Sequence, residues 1–522
     1  MQFSARRFSQ ALPRFRSLVI LGAAILAAPG LFAQDQNIGP EKLPSAQDQV
    51  RPAPILSPEQ LRDSASPDKD DADEDLLFPM KRNQWFQHLR AYPNAHIPTG
   101  AYWRSQVQRE ALIARQRAML AGLKPEVAAQ VVPLSTVKWT FDGPEPVAAY
   151  GGSIPYSGRA TSIAINPLDP TTIYLGTAAG GVWKTINAGQ TWLPISDSQA
   201  SLAIGAIAVD PNNPNNVFVG TGEPDYSGDS YYGQGLLKST NAGQTWTLIR
   251  TPFTTGLTAP DFTAIAVQPG NSEIVLAANQ AGLYRSADGG TTWTEVIASG
   301  ISTVLFDVKD HSTVYAGAGG YGTTMGPLLK STNAGLTWTA INGTGTSVVQ
   351  PLANILRTSI AEDATGTNLF AAFAQSNYSS PGWVYKSVDG GAHWTQLTSP
   401  SGLDWYRNAI AVAPNNPLVL YATGAALYQS TDGGKTWAQV GGQAYADQHA
   451  FAFTPDGKTM YLADDGGVFV NTSPAAPNAS FTSLNATIGS LTFYPNFSIL
   501  AGKPNSMLGG SQDHGFDPKP KN

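Results

Sequence analysis

Ser286-Ala287-Asp288-Gly289-Gly290-Thr291-Thr292-Trp293 is one of six copies of the pattern Ser/Thr-x-Asp/Asn-x-Gly-x-Thr-Trp. We call these eight-residue segments boxes; they occupy 185–192, 239–246, 286–293, 331–338, 387–394 and 430–437, and the fifth has His393 in place of threonine. Their tryptophans recur at intervals of 43 to 56 residues. One turn motif per repeat of this length is typical of a β-propeller or a solenoid. The boxes therefore predict a repetitive, all-β protein.

Each box position suits a tight hairpin. The Asp or Asn at the third position can accept backbone N–H bonds, and the glycine at the fifth can take positive φ without strain. The first hydroxyl can hold the same turn, and the tryptophan can fill the gap between neighbouring sheets. We predict a structural role for the box residues Asn187, Trp192, Asn241, Trp246, Asp288, Trp293, Asn333, Trp338, Asp389, Trp394, Asp432 and Trp437.

The repeat unit has four predicted strands. In the first unit these are 161–165, 173–177, 181–185 and 192–195, and the pattern recurs to about residue 484, where Phe481 stands near the expected tryptophan. Two further strands are predicted at 492–500 and 507–510, and Trp139-Thr140-Phe141 is a candidate for completing that last sheet and closing the ring. We predict a β-propeller of seven to eight four-stranded blades: seven full blades plus a partial or shared eighth. The alternative is the first part of a longer, two-propeller protein.

The region before the repeats has a different composition. Residues 1–33 combine four arginines with an apolar stretch from Leu18 to Ala28, which predicts a cleaved export signal. Residues 34–75 are rich in Pro, Gln, Ser and Asp and are predicted to be a disordered linker. Residues 76–136 contain two predicted helices, at 76–90 and 102–123, and the propeller is assigned to 137–522. The protein is thus expected to be exported to the periplasm, the cell surface or the medium.

Charge and composition restrict the partners. Loss of the four arginines of the signal would change the formal net charge from −6 to about −10, which argues against nucleic acid as a ligand. Cysteine is absent, which excludes disulfides and thiolate metal sites. The acidic run Asp68 to Asp75 lacks the central glycine and terminal glutamate of a calcium loop, so no metal and no cofactor is predicted. No later segment is long and apolar enough to predict a transmembrane helix.

The boxes resemble the Asp-box, or BNR, repeat of sialidases, family 74 xyloglucanases, sortilin-type receptor domains and Ycf48-like photosystem assembly factors. Other stretches resemble a group of exported bacterial propellers described as sortilin-like or glycosyl-hydrolase-like. These stretches include Gly176–Lys184, Gly220–Glu223, Asp447–Ala450, Asp465–Val468 and Gly510–Asp513. The resemblance covers about residues 137–515 and implies a β-propeller whose activity differs among the members.

The named activities do not transfer directly. In family 74 enzymes the resemblance implies a catalytic Asp in a Thr-Asp-x-Gly-Gly stretch, where this chain has Ala178 instead. The Phe-Arg-Ile-Pro motif of sialidases is absent, and a chain without cysteine cannot continue into the cysteine-rich module of sortilin-type domains. Enzymatic activity is therefore left open.

Strand direction predicts where a ligand site would lie. Strands alternate within a blade, so the loops between second and third strands emerge on the same face as the connections between blades, opposite the boxes. We call this the upper face. Aromatic rings beside carboxylates suit sugar recognition. The candidate ligand-binding residues on this face are Arg159, Glu223, Asp229, Tyr231, Tyr232, Trp405, Arg407, His449, Asp465 and Gln512.

Three functions remain open at this stage. The first is binding of a glycan, or of a protein or peptide ligand, on the upper face without catalysis. The second is glycoside hydrolysis of the family 74 or sialidase type, with Glu223, Asp447 and Asp513 as candidate catalytic carboxylates. The third is an assembly factor of the Ycf48-like kind. Structural alternatives exist for single residues: Glu223 can pair with Arg159 to hold a loop, and His449 can be a structural histidine.

Overall fold

The computed structural model describes residues 154–225, 230–253, 261–319, 327–350, 355–375, 382–401, 403, 408–424, 426–492, 498–499, 507–511 and 515–518, with part of 108–118. All of these belong to one compact unit, Ser66–Asn522. The described positions between 108 and 118 are helical and exposed, in agreement with the second predicted helix. The first predicted helix, the signal and the linker lie outside the described residues, and the domain boundaries remain predictions. Among the described residues, no helix has the length and apolar character needed to cross a bilayer.

Four-stranded antiparallel sheets make up the repeat region. Blade one is β1 (Ala160–Ile165), β2 (Ile173–Thr177), β3 (Val182–Thr185) and β4 (Leu193–Pro194). Blade two is β5 (Ile204–Val209), β6 (Val217–Thr221), β7 (Leu236–Ser239) and β8 (Thr247–Ile249). Blade three is β9 (Phe262–Val267), β10 (Val275–Asn279), β11 (Leu283–Ser286) and β12 (Thr294–Ile297). Blade four is β13 (Ile301–Phe306), β14 (Val314–Ala318), β15 (Leu328–Ser331) and β16 (Thr339–Ala340).

The remaining blades follow the same order. Blade five is β17 (Ile355–Glu362), β18 (Leu369–Gln375), β19 (Trp383–Ser387) and β20 (Thr395–Gln396). Blade six is β21 (Ile410–Ala413), β22 (Asn416–Thr423), β23 (Leu427–Ser430) and β24 (Ala438–Val440). Blade seven is β25 (Gln448–Phe453), β26 (Met460–Asp464), β27 (Gly467–Asn471) and β28 (Thr482–Ser483). In every blade the strands pair in sequence order, so the predicted strand, turn and strand pattern is confirmed.

The second strand of each blade carries most of the core. In β2 all five residues, Ile-Tyr-Leu-Gly-Thr, are buried, and β6, β10, β14 and β26 show the same complete burial. A strand in the middle of a sheet that is packed on both faces needs apolar or small residues at successive positions, which removes the usual alternation. The outermost strands are short and largely exposed, with both residues of β4 facing solvent.

The boxes form the hairpins between third and fourth strands, as predicted. In the box at 286–293, Ser286 Oγ accepts the Gly290 N–H at 2.7 Å, and Asp288 Oδ1 accepts the Thr292 N–H at 2.8 Å. Gly290 has φ of +85°, a conformation that favours glycine. The first hydroxyl accepts the glycine N–H in each of the other five boxes as well, at 2.8 to 3.1 Å. In all six boxes the first hydroxyl therefore holds the turn, and the structural role of the full set of box residues stays a prediction.

Seven blades close the ring. Buried residues of blade one form one apolar cluster with Tyr461, Ala463 and Val468 of blade seven. Trp192 belongs to this cluster, and its Nε1 donates to the Leu484 carbonyl at 3.1 Å. The segment before β1 joins the same contact, since the Ser157 N–H donates to the Gly466 carbonyl at 2.8 Å. The predicted substitution of Phe481 for a box tryptophan is also confirmed, because its buried ring packs between blades six and seven.

The C-terminal sheet departs from the prediction in one respect. It has three strands, β29 (Ser498–Ile499), β30 (Met507–Ser511) and β31 (Gly515–Pro518), and the last of these was not expected from the sequence. The contact of blade one with blade seven means that this sheet is not needed to close the ring. Trp139-Thr140-Phe141 lies outside the described residues, so its predicted pairing stays a prediction.

Candidate functional site

A repeated irregularity shapes the centre of the propeller. In six of the seven blades the pairing of the first two strands shifts register near the upper end of the first strand. Such bulges redirect a side chain and are common beside functional sites. The residues at these shifts include Thr161, Thr263, Ser302 and His449, all of which line a cavity on the propeller axis. We call it the hub cavity; it has a volume of about 160 Å³.

Residues from all seven blades surround the hub cavity. Its wall runs from Thr161 in blade one to His449 in blade seven, with Arg357 contributed by blade five and Asn408 by the segment before β21. Pro224 and Asp225, in the loop after β6, also line it. Of the candidate ligand-binding residues predicted from the sequence, His449 lines this cavity.

Buried ion pairs connect the blades at the upper end of this cavity. Arg159, just before β1, pairs with Glu223 of blade two. The Arg159 guanidinium also binds Asp465 of blade seven with two contacts, Nε to Oδ1 at 2.7 Å and Nη2 to Oδ2 at 3.3 Å. All three side chains are at least nine-tenths buried. One arginine thus pairs with two carboxylates and links three consecutive blades of the ring: seven, one and two.

A second set of contacts crosses the hub. Arg357 Nη2 donates to Asp225 Oδ1 at 3.0 Å and to the Pro224 carbonyl at 2.8 Å, which joins blade five to the loop of blade two. His449 lies between two acids, with Nε2 2.6 Å from Asp465 Oδ1 and Nδ1 3.4 Å from Asp225 Oδ1. We call these residues together the hub clamp: Arg159, Glu223, Asp225, Arg357, His449 and Asp465. The clamp holds the start of the blade-two loop across the upper end of the cavity.

Protonation in the clamp follows from burial and pairing. Burial by itself would lower the pKa of His449, but the Asp225 and Asp465 carboxylates outweigh it and raise that pKa to about 10. Burial would raise the pKa of Asp225 and of Asp465; pairing with His449 and the two arginines instead holds both below the usual range. The clamp therefore consists of three cations and three anions at neutral pH.

Two neighbouring acids, Asp464 and Asp261, have their pKa shifted in the opposite direction. Burial raises the pKa of Asp464 well above its usual range, and the nearby Asp465 charge adds to this effect. Burial likewise raises the pKa of Asp261, although its Oδ1 accepts the Gly233 N–H at 3.2 Å. Asp464 accepts the N–H groups of Tyr445 and Gly466 at 2.9 and 2.8 Å. Through these backbone contacts, Asp261 and Asp464 hold the loops around the hub clamp.

The His449 pKa predicts a dependence of stability on pH. Because its folded pKa of about 10 lies above the ordinary 6.5, its contribution is complete below pH 6.5 and is lost as pH rises through 10. The free energy of unfolding should therefore fall by about 1.4 kcal/mol per pH unit between pH 7 and 9.5. Urea unfolding at successive pH values measures this slope. The His449→Gln variant, which cannot take the proton, should lose the slope; equal slopes in both proteins would contradict the assignment.

The other sequence-predicted residues occupy different environments. Tyr231 accepts the Glu223 N–H through its carbonyl at 2.9 Å, and Tyr232 is 53% exposed on the same loop. Asp447 lies directly before β25 with φ of +65° and is partly buried. Asp229, Trp405, Arg407, Gln512 and Asp513 lie outside the described residues. Ala178, where family 74 enzymes are expected to have an acid, is buried beside the clamp, and its N–H donates to the Arg159 carbonyl at 3.0 Å.

Sequence reasoning did not identify Arg357 or Asn408. Arg357 is the single charged residue in the otherwise uncharged inner stretch Ile355–Ile360, and that contrast was an available signal. Asn408 precedes β21 and gives no comparable signal. Among the described residues, no group of His, Asp and Glu is arranged to hold a metal ion.

Comparison with known proteins relates part of the chain to xyloglucanases. No protein-family model matches. Xyloglucanase Xgh74A of Acetivibrio thermocellus is 28% identical over 199 residues, which is 36% of this chain and 22% of that enzyme. A xyloglucanase of Hypocrea jecorina is 30% identical over 167 residues, 30% of this chain and 20% of the enzyme. The aligned segments thus cover about a fifth of these relatives.

Solved structures agree in fold. The GH74 xyloglucanase from Xanthomonas campestris superimposes with a TM-score of 0.56 at 21% identity, over 70% of this chain and 59% of that one. The Niastella koreensis GH74 enzyme gives a TM-score of 0.53 at 23% identity, again over 70% of this chain and 59% of that one. These identities support a common fold and no more. The chain is a seven-bladed β-propeller, similar over part of its length to xyloglucanases of glycoside hydrolase family 74.

Proposed function

We propose that this protein is an exported β-propeller that binds a glycan through the loops of its upper face and does not hydrolyse it by the family 74 route. The observation that carries the proposal is the state of the upper-face acids. Glu223, Asp225 and Asp465 are buried and held in ion pairs with Arg159, Arg357 and His449. A general acid or base must reach its substrate, and carboxylates held in this way are poorly placed to do so.

The expected catalytic position supports the same conclusion. Ala178 has no ionisable group and is 4% exposed. An acid there would be buried next to Arg159. The similarity to xyloglucanases favours a polysaccharide of the β-glucan type as the ligand, while binding of a protein or peptide remains the alternative within this proposal.

One exposed and two partly buried tyrosine rings supply the expected contact surface. Tyr232 projects from the blade-two loop, and Tyr156 and Tyr445 form an edge-to-face pair with ring centroids 5.0 Å apart on the same face. Tyrosine rings offer an apolar face to the C–H groups of a sugar and a hydroxyl to its polar edge. The hub clamp holds Glu223 and Asp225 at the start of the loop that carries Tyr232, and such preorganisation reduces the entropy cost of binding.

Binding without turnover is the first test. Isothermal titration calorimetry with xyloglucan oligosaccharides, cello-oligosaccharides and sialyllactose should show saturable binding of at least one β-glucan. Tyr232→Ala should weaken it about fivefold, since one aromatic contact contributes roughly 1 kcal/mol. Val388→Ala is the control, because this exposed apolar side chain lies in the box at 387–394 on the opposite face. Equal affinity of all three proteins would contradict a site on the blade-two loop.

The second candidate function, glycoside hydrolysis, is favoured by the xyloglucanase relatives alone. A reducing-sugar assay on the same glycans should detect no release. Asp447→Asn is the decisive variant, because asparagine removes the ionisable carboxyl and tolerates the positive φ at this position. Sugar release that this substitution abolishes would replace the binding proposal with a hydrolase.

A further inference from the structure

Four hydroxyl groups on the wall of the hub cavity already donate their protons to backbone carbonyls. The hydroxyl of Thr263 donates to the Ile301 carbonyl at 2.5 Å, and that of Ser302 donates to the Thr358 carbonyl at 2.7 Å. Thr358 in turn donates to the Ala318 carbonyl at 2.7 Å, and Thr161 donates to the Ile204 carbonyl. Because a hydroxyl has one proton, these side chains can offer the cavity only lone pairs. The same bonds link consecutive blades around the axis.

Two buried oxygens at the cavity add to these acceptors. Asp225 Oδ2 and Asn408 Oδ1 are fully buried and have no hydrogen-bond donor among the described residues. Both residues line the hub cavity and are at least nine-tenths buried. A buried acceptor without a donor is energetically costly. The cavity is therefore complementary to a ligand that brings its own donors.

The charges on the wall determine which donor fits. Arg357 pairs with Asp225, and His449 lies between Asp225 and Asp465, so the charges on the described part of the lining are compensated within the hub clamp. A metal ion or an ammonium group would add an uncompensated positive charge beside Arg357 and His449. An anion has no proton to donate to Asp225 Oδ2 and Asn408 Oδ1, the two acceptors that lack a donor. Hydroxyl groups satisfy both conditions, because they donate to the acceptors and carry no charge.

Size limits the ligand to one small molecule. A volume of about 160 Å³ is close to the roughly 150 Å³ of an engineered cavity that binds one benzene molecule. That space suits a single sugar ring or a small polyol. We propose that the hub cavity is a binding site for one neutral polyhydroxylated molecule, separate from the upper-face glycan surface and independent of the function proposed for it.

The test uses the full chain and small probes. Calorimetric titrations with D-xylose, D-glucose and glycerol should show one saturable site for at least one of them, whereas calcium chloride and sodium sulfate should not bind there. Asn408→Leu, which removes an acceptor, should weaken that binding at least tenfold. Ala409→Leu fills part of the cavity without removing a polar group and should weaken binding to the same degree. If Asn408→Leu fails to fold, this second variant still tests the proposal.

The control is Val388→Ala, an exposed position on the opposite face, which should leave the affinity for the small probe unchanged. The proposal is overturned if the folded wild-type protein binds none of the three polyols, or if calcium or sulfate binds in their place. It is equally overturned if Ala409→Leu retains full affinity or if Val388→Ala removes it. If the wild-type protein binds a small polyol but no oligosaccharide, the upper-face proposal is wrong and the hub-cavity proposal stands.

Discussion

Replacing Arg159 by leucine should lower the free energy of unfolding by about 3–5 kcal/mol at pH 7. Arg159 is the shared partner of Glu223 and Asp465, and all three groups are buried. Removal of the guanidinium leaves two carboxylates in a medium that solvates them poorly, with His449 compensating only one. Urea unfolding followed by circular dichroism measures the loss.

The pH dependence separates this electrostatic cause from lost packing. Stranded carboxylates take up protons more readily, so the deficit of Arg159→Leu should shrink between pH 7 and pH 5. The free energy of unfolding of Arg159→Lys should lie between those of the wild type and Arg159→Leu, because lysine keeps the charge but cannot make the two-point contact with Asp465. His393→Ala provides the matched control: its pair with Asp389 is exposed and should contribute less than about 1 kcal/mol. A deficit that stays constant with pH would show that the arginine acts through its volume.

The fold could be predicted from the sequence because its determinants are local. A box places hydroxyl, Asx, glycine and tryptophan within eight residues, and the bonds among them, such as Ser286 with Gly290, do not depend on the rest of the chain. The apolar run of a second strand, such as Ile173–Thr177, carries its own signal of burial on both faces. Repetition then strengthens each weak signal, since six similar hairpins indicate one architecture.

The candidate site could be predicted only in part, because its pairing is non-local. Strand direction placed Arg159, Glu223, His449 and Asp465 on one face, and they do meet there. What sequence reasoning left open is whether these groups face a ligand or each other. That outcome depends on Arg357, which reaches Asp225 across 132 positions of the chain, and on bulges that turn side chains toward the axis. Charge type and spacing do not reveal such contacts.

Ring closure leads to the prediction with the other largest effect. Trp192 should be the most costly box tryptophan to truncate, with Trp192→Ala lowering the free energy of unfolding by about 3–5 kcal/mol. Its side chain is 2% exposed and packs with residues of blade seven, and its backbone N–H donates to Thr487 Oγ1 at 2.7 Å. The substitution therefore opens a cavity at the joint between the first and last blades. Far-UV circular dichroism in urea measures the effect without relying on tryptophan fluorescence.

The matched control is Trp437→Ala in the box of blade six. Trp437 makes the equivalent bond to the preceding blade, from Nε1 to the Thr398 carbonyl at 2.9 Å, but its ring is only partly buried. Because less apolar surface and a smaller cavity are involved, its truncation should cost clearly less than that of Trp192. An internal blade is also held by neighbours that remain covalently consecutive, whereas the joint between blades one and seven depends on side-chain packing and a few hydrogen bonds. Equal losses for the two variants would mean that the contact with blade seven does not carry the closure of the ring.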